Sequence, residues 1–399
     1  MKEFVRFKLL NSFWMRVFLL CALFYGCSLK GGNLPESYLD TPEQHALNGF
    51  KFISKQRVLD AQREFKESLA INPEYSPAYR GLALAYGMKG EFQAAYDSFD
   101  KAMRYAKTPE EKALAHVAMM RLLTMKREGA WLAQVEKHLA SALALVKDLP
   151  DAYYYLGAAY NYAYKFEDSK RVLEKVVAIN KSLNAEAKKQ LELAREIRRA
   201  KPGSAFGKRV VFLPRITRAQ AAGLLVHELR RDFIFALENS PKKNLPTPTD
   251  ILRHPLKAEI QRILEWNLRG LQEFGDGTFE PDEYVTRASF ASLMADLIGR
   301  LDRHPVQVPD YDEKHMPFKD ISKNSSYFRD IAVCLAYGRL MRGKHGLFEP
   351  KGTLSGAQAL LIIRKLEKEI SSRSKSQAPA IFLTLLSGKG IGKVERSRR

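Results

Sequence analysis

Cysteine is scarce in this chain: three residues in 399, at Cys21, Cys27 and Cys334. So few thiols cannot staple a protein of this length, which excludes a disulfide scaffold. Long apolar runs are scarce too. The most apolar segment, Val17 to Tyr25, is too short to cross about 30 Å of hydrocarbon at 1.5 Å per residue, so a polytopic membrane protein is excluded. Acidic residues are in deficit, 45 Asp and Glu against 65 Lys and Arg, for a formal net charge of +20. Signatures of chemistry are missing. There is no G-x-x-x-x-G-K-[ST] phosphate loop, no G-x-S-x-G elbow and no H-E-x-x-H helix, and His227, His254, His304, His315 and His345 lack metal-ligand spacing. Asp276-Gly277, with Glu280 and Asp282, lacks the alternating ligands and distal Glu of a calcium loop. The chain therefore reads as non-catalytic, with no cofactor and no metal. What is present is a 46% hydrophobic composition, enough for a packed core, in a length that suits two or three domains. The excess positive charge points to an acidic partner, and the compartment decides which.

The compartment is read from the N-terminus. Lys2, Arg6, Lys8 and Arg16 precede the apolar stretch, which ends at Gly26-Cys27. A basic start, a short apolar core and a small residue at the cut make an export signal over 1–26. Cys27 after Gly26 resembles a bacterial lipobox, although Phe24 and Tyr25 stand where that pattern has Leu and a small residue. The resemblance implies that Cys27 is lipidated. Ser28 beside it implies sorting to the periplasmic side of the outer membrane. An ordinary signal sequence with an incidental Cys, or an uncleaved anchor, is the alternative. Residues 27–41 read as a tether. Cys334, in the apolar run Ile331–Leu335, reads as a small buried hydrophobe.

From Pro42 to about Ala200 the sequence repeats. Gly49, Ala61, Phe65 and Pro73 recur as small, small, aromatic and Pro positions. Tyr79, Leu82, Ala83, Tyr86, Ala95, Phe99 and Ala102 follow in a second unit. A third, irregular unit covers Ala113–Met125 and Trp131–Val146, and a fourth starts near Pro150 with Leu156, Gly157 and Leu173. A 34-residue period of this kind resembles tetratricopeptide (TPR) repeats, which stack helix pairs into a solenoid. Residues 184–200 suit a capping helix. The resemblance implies a groove that binds a protein or peptide, with Tyr162 and Tyr164 among candidate groove residues; most of the tyrosines read as core.

Residues 201–215 read as a linker with a short extended piece. Three related segments then fill 216–370: Ile216–Leu229, Asp250–Ile298 and Phe318–Lys368. The last two align through a helix, a Gly-containing loop, the turns Phe279-Glu280-Pro281 and Phe348-Glu349-Pro350, and a second helix. Thr217, Thr286 and Ser355 stand at N-cap positions, and the two Phe can plug the base of each loop. The pattern is similar to the S-layer homology (SLH) family. The resemblance implies a three-pronged, mainly helical domain that attaches to peptidoglycan or an acidic cell-wall polymer. It also implies that Arg218 and Arg287, with Thr217 and Thr286, contact the polymer: a guanidinium fork beside free N–H groups at a helix start suits an anion. A structural role, holding two loops together, is the other reading of these arginines. The third segment has Gly356 where Arg would stand, and the first lacks a preceding helix-loop half. The tail 371–399, with seven Lys and Arg against one Glu, reads as disordered, with a transient helix at most.

The expected fold is thus all-α, a TPR solenoid followed by a three-pronged SLH-like domain. The expected function is an exported envelope adaptor held to a membrane by lipid and to the wall by the repeats, with a protein in the TPR groove and no nucleic-acid partner. The alternative is an assembly factor for an export or polysaccharide-secretion machine, in which the SLH-like domain is a degenerate structural module.

Overall fold

A computed structural model describes residues 40–179, 183–240, 246–302, 306–311, 315–343 and 345–386. Cys27, the signal and most of the tether lie outside the described residues. The chain is all-α, and it divides between Leu191 and Glu192 into two compact units.

The first unit is a helical solenoid, built from four antiparallel helix pairs. They are α1 (Pro42–Ser54) with α2 (Val58–Ile71), α3 (Ser76–Lys89) with α4 (Phe92–Tyr105), α5 (Pro109–Lys126) with α6 (Trp131–Leu145), and α7 (Pro150–Tyr162) with α8 (Phe166–Ile179). Each first helix opens on a Pro at one of its first two positions, where a missing N–H costs nothing. Packing depends on the small residues seen in the sequence. The fully buried Phe65 ring lies between Gly49 of α1 and Gly81 of α3, where a Cβ would stand 2.5 and 2.2 Å from the ring. Leu173 of α8 meets Gly157 of α7 in the same way. Buried hydroxyls join helices end to end: Ser68 donates to the Pro42 carbonyl and Ser76 to that of Ala102. Helix α9 (Asn184–Ala200) covers the last pair with Ala187 against Leu173 and Val176.

His116 and His138 form a half-buried polar pair between α5 and α6. Their Nδ1 atoms are 2.9 Å apart, and Phe99 lies beside both rings. That contact requires one of the two nitrogens to be unprotonated. Burial holds His116 below the usual histidine range. Burial, with His116 and Lys137, pushes His138 down to about 4.

The second unit departs from the sequence reading at both ends. Residues 201–215 are not a bare linker: Ser204 caps helix α10 (Ala205–Val210), which packs on α11 (Arg218–Glu228). This is the abbreviated first half of repeat one. Six residues are too few to display a helical period, which is why the sequence hides it. Helix α12 (Arg231–Glu238) follows. Repeat two has a 3-10 turn (Thr249–Ile251), α13 (Lys257–Trp266) and α14 (Arg287–Leu301). Repeat three has α15 (Phe328–Ala336) and α16 (Gly356–Leu386). Helix α16 continues through the first half of the stretch read as a disordered tail. Ser371 and Ser374 return their hydroxyls to carbonyls four residues back, which is compatible with helix and leaves no local stop. Residues 387–399 lie outside the described residues.

The three repeats are joined head to tail. Thr217 bridges Tyr284, and Thr286 bridges Thr353. The third junction closes the ring: the Ile216 N–H donates to the Leu354 carbonyl and the Gly356 N–H to that of Leu213. Gly356 permits this closure. A Cβ there would stand 1.8 Å from the Val210 carbonyl oxygen, so the position that carries Arg in repeats one and two is sterically reserved for glycine.

Two outcomes follow. Gly356→Ala forces the Val210–Leu213 backbone away, costs about 1–3 kcal/mol, and lowers the midpoint of thermal unfolding of the second unit; an unchanged midpoint would show that the closure is unimportant. Below pH 6.5 the unfolded chain protonates His138 while the folded state resists until about pH 4. Stability is therefore present above pH 6.5 and lost as pH falls between those values. His138→Leu flattens that part of the melting-temperature profile, which differential scanning calorimetry measures.

Candidate functional site

The TRA/FEP junctions were the sequence-predicted site. The structure places Thr217, Arg218, Thr286 and Arg287 at the starts of α11 and α14, as expected, and both threonines form complete capping boxes, with Gln220 and Ser289. What the helix starts face is protein. The Arg218 N–H donates to the Glu283 carbonyl (2.8 Å) and the Ala219 N–H to that of Pro281 (3.0 Å). In the next repeat the Arg287 N–H donates to Gly352 (2.7 Å) and the Ala288 N–H to Pro350 (3.0 Å). Each helix start is thus filled by the turn of the following repeat, and the N–H groups needed for an anion receptor are already used.

The guanidinium groups follow the same pattern. Arg218 is 7% exposed; its Nε donates to the Phe279 carbonyl at 2.8 Å and its Nη2 to that of Gln272 at 2.7 Å, with Gly270 at 3.4 Å. It lies between the rings of Phe274 and Phe279, at 4.6 and 4.7 Å. Arg287 donates from Nε to Phe348 and from Nη2 to Arg342, and lies 4.7 Å from the Phe348 ring. Burial draws both guanidiniums below the usual arginine range, opposed by Glu280 and Asp250 for Arg218 and by Glu349 and Asp320 for Arg287. These contacts fit the alternative reading, an arginine that locks the loop of the next repeat.

Sequence reasoning missed the other half of the lock. Asp250 accepts from the backbone N–H groups of Phe279 and Glu280, and Asp320 from those of Phe348 and Glu349, at 2.7–3.1 Å. Glu280 and Glu349 have positive φ, 53° and 59°, so each turn is held in a conformation that side chains disfavour. Phe279 and Phe348 are fully buried beneath the turns, as expected. The matching signal was Asp-Ile at 250–251 and 320–321, visible only once the repeats are aligned.

Two surfaces remain open for partners. In repeat three, Pro309, Tyr311, Pro317, Phe318 and Leu335 form the wall of a cavity of about 510 Å³ with Arg339 and Arg342 among its lining residues. A ring-and-proline wall beside guanidinium donors suits a sugar bearing an acidic group. In the solenoid the first helices of the pairs pack in succession, and cations stack on rings across them. Arg80 of α3 lies 4.7 Å from the Phe50 ring of α1, and Arg121 of α5 lies 4.6 Å from the Tyr155 ring of α7. The Arg80 Nε is buried without a hydrogen-bond partner among the described residues. Burial pulls Arg80 down to about 10, although Asp151 opposes it. Tyr162 and Tyr164 are engaged within the array: Tyr162 lies under Arg127, and Tyr164, at the α7–α8 turn, meets Phe166 edge to face. Among the described residues no three His, Cys, Asp or Glu side chains are grouped as a metal site, and no helix is long and apolar enough to cross a membrane. Cys334 is buried, and that burial raises its thiol well above the usual range.

Arg218→Ala leaves three carbonyls of the next repeat without a donor and is expected to cost about 3 kcal/mol. Arg287→Ala, more exposed and with two bonds, costs less. Urea titration of each variant checks the order; equal small effects for both would remove the lock from the account.

The S-layer homology domain matches residues 271–291 and 317–360. The cellulosome-anchoring protein of Acetivibrio thermocellus is 29% identical over 156 residues, 38% of this chain. The match spans about a third of that relative's length, 32%. A solved structure from the functional characterization of Pseudomonas aeruginosa pilF is 11% identical and covers 41% of this chain and 93% of its own, with a TM-score of 0.21. The second unit thus contains the stretches that the S-layer homology domain matches, and the first unit is a solenoid of helix pairs.

Proposed function

We propose that this protein is a non-catalytic adaptor of the bacterial cell envelope. Its S-layer homology repeats attach to an acidic wall polymer or peptidoglycan, its TPR groove holds a protein partner, and lipid on Cys27 adds a membrane attachment on the periplasmic side of the outer membrane. The observation that carries the reading is the repeated Phe-Glu-Pro turn and capped-helix start, at residues that the S-layer homology domain matches. An anchoring protein among the relatives supports the same direction. Within the repeats, the polymer contact falls to the cavity with Tyr311, Phe318 and Arg339 rather than to Arg218. In the solenoid, Arg80 and Arg121 supply cations, backed by rings, for acidic groups of a peptide.

A second reading, an assembly factor with a structural SLH-like module, is favoured by one observation: the motif arginines and helix starts are used up inside the domain.

Co-sedimentation of the chain with purified sacculi separates the two. The adaptor pellets at low salt, and a Tyr311→Ala, Arg339→Ala double variant of unchanged stability binds about tenfold more weakly. Full retention in the supernatant would leave the assembly-factor reading standing.

A further inference from the structure

The second unit holds a cavity of about 630 Å³ against α16. It is lined by Arg199, Lys201, Arg342, Arg364, Lys365 and Lys368, with Glu369 as the one carboxylate. Arg364 is already neutralised. It pairs with the buried Glu228 and with Glu367, and donates to the Ala200 and Lys201 carbonyls, so it pins the end of α9 against α16. The other five cations form no ion pair among the described residues. They are brought together by structure rather than by chance of sequence. The Arg364 bonds carry Arg199 and Lys201 to the rim. Arg287 holds the Arg342 carbonyl at 2.9 Å. Gly338, at φ 64°, lets its loop press so close to α16 that a Cβ would stand 2.5 Å from the Glu369 carboxyl carbon. Burial lowers Lys365, and Arg342 and Arg199 lower it further, as expected where cations outnumber the one lining carboxylate.

Gathering uncompensated positive charge in a recess is costly unless an anion enters it. The lining names the kind of anion. It holds no aromatic ring, so it offers nothing for a nucleobase to stack on. None of the described exposed large hydrophobics lines it, so it lacks the apolar flank with which a surface inserts into a bilayer. Leu361 and the lysine stems leave room for a sugar-sized body beneath the charged group.

We propose that this cavity is an anion site for phosphate-class groups carried on a glycan, a second contact for an acidic polymer that shares Arg342 with the aromatic cavity of repeat three. Its glycan source rests on the wall-attachment reading; its anion chemistry does not.

The test uses the full chain and inorganic pyrophosphate as probe, by isothermal titration calorimetry at fixed ionic strength. Pyrophosphate binds one site, and Arg199→Ala with Lys365→Ala, checked for an unchanged melting point, weakens it about tenfold or more. Lys208→Ala with Lys188→Ala, outside the cavity, leaves it unchanged. Absence of pyrophosphate binding, or equal binding by both pairs of variants, overturns the site; sacculi that still pellet the chain in that case leave wall attachment standing. Given pyrophosphate binding, sacculi stripped of phosphodiester polymer with hydrofluoric acid lose the contribution of Arg199 and Lys365. If that contribution persists on stripped sacculi, or appears instead on phosphatidylglycerol vesicles, the glycan assignment is wrong.

Discussion

The second unit depends on one exchange: the N–H groups that a helix start leaves unsatisfied are taken by carbonyls of the turn in the following repeat. Everything around the junction keeps that turn in reach. In repeats two and three an aspartate at the front holds the two amides of the Phe-Glu-Pro corner, a phenylalanine fills the space beneath, and an arginine of the preceding repeat ties the carbonyls on the other side. The arginine works in a setting where its charge is poorly solvated. The carbonyl dipoles and the aromatic faces that receive it replace water, so its loss exposes several groups at once.

Much of this was legible in the amino-acid order, and the rest was hidden for a definable reason. Thr217, Thr286 and Ser355 announce helix starts because capping is local, within three residues. Gly49 with Phe65, and Gly157 with Leu173, announce close-packed helix pairs because repetition shows which positions are constrained. Arg218 is different. Its type and place suggested an anion ligand, yet its partners lie 52–61 residues away in another repeat, where a single sequence gives no register. Asp250 and Asp320 escaped notice for the same reason. Gly356 looked like a lost ligand and is instead a matter of space. The helix at 205–210 was missed because it is too short to show a period, and the cations of the basic cavity because they come from three separate stretches.

The net charge of +20 takes on a structure once these contacts are known. Some of the cations serve the fold: Arg218, Arg287 and Arg364 are consumed by carbonyls and buried carboxylates. Others are gathered where they outnumber the one carboxylate, on the walls of one recess in the second unit, or are stacked on rings along the solenoid. The distinction between structural and available cations is a better guide to partners than the total, because only the second kind has free energy left to give to a ligand.

The two units differ in how they end. The solenoid is an open stack whose last pair needs a cap, so pairs can be added or removed with modest disturbance. The repeats of the second unit form a loop of three, sealed where Gly356 meets Leu213. A sealed loop has no edge on which a fourth member could be seated, and removal of any one member unseats both neighbours. Evolution can therefore lengthen the first unit by duplication, whereas the second must change by substitution at fixed size.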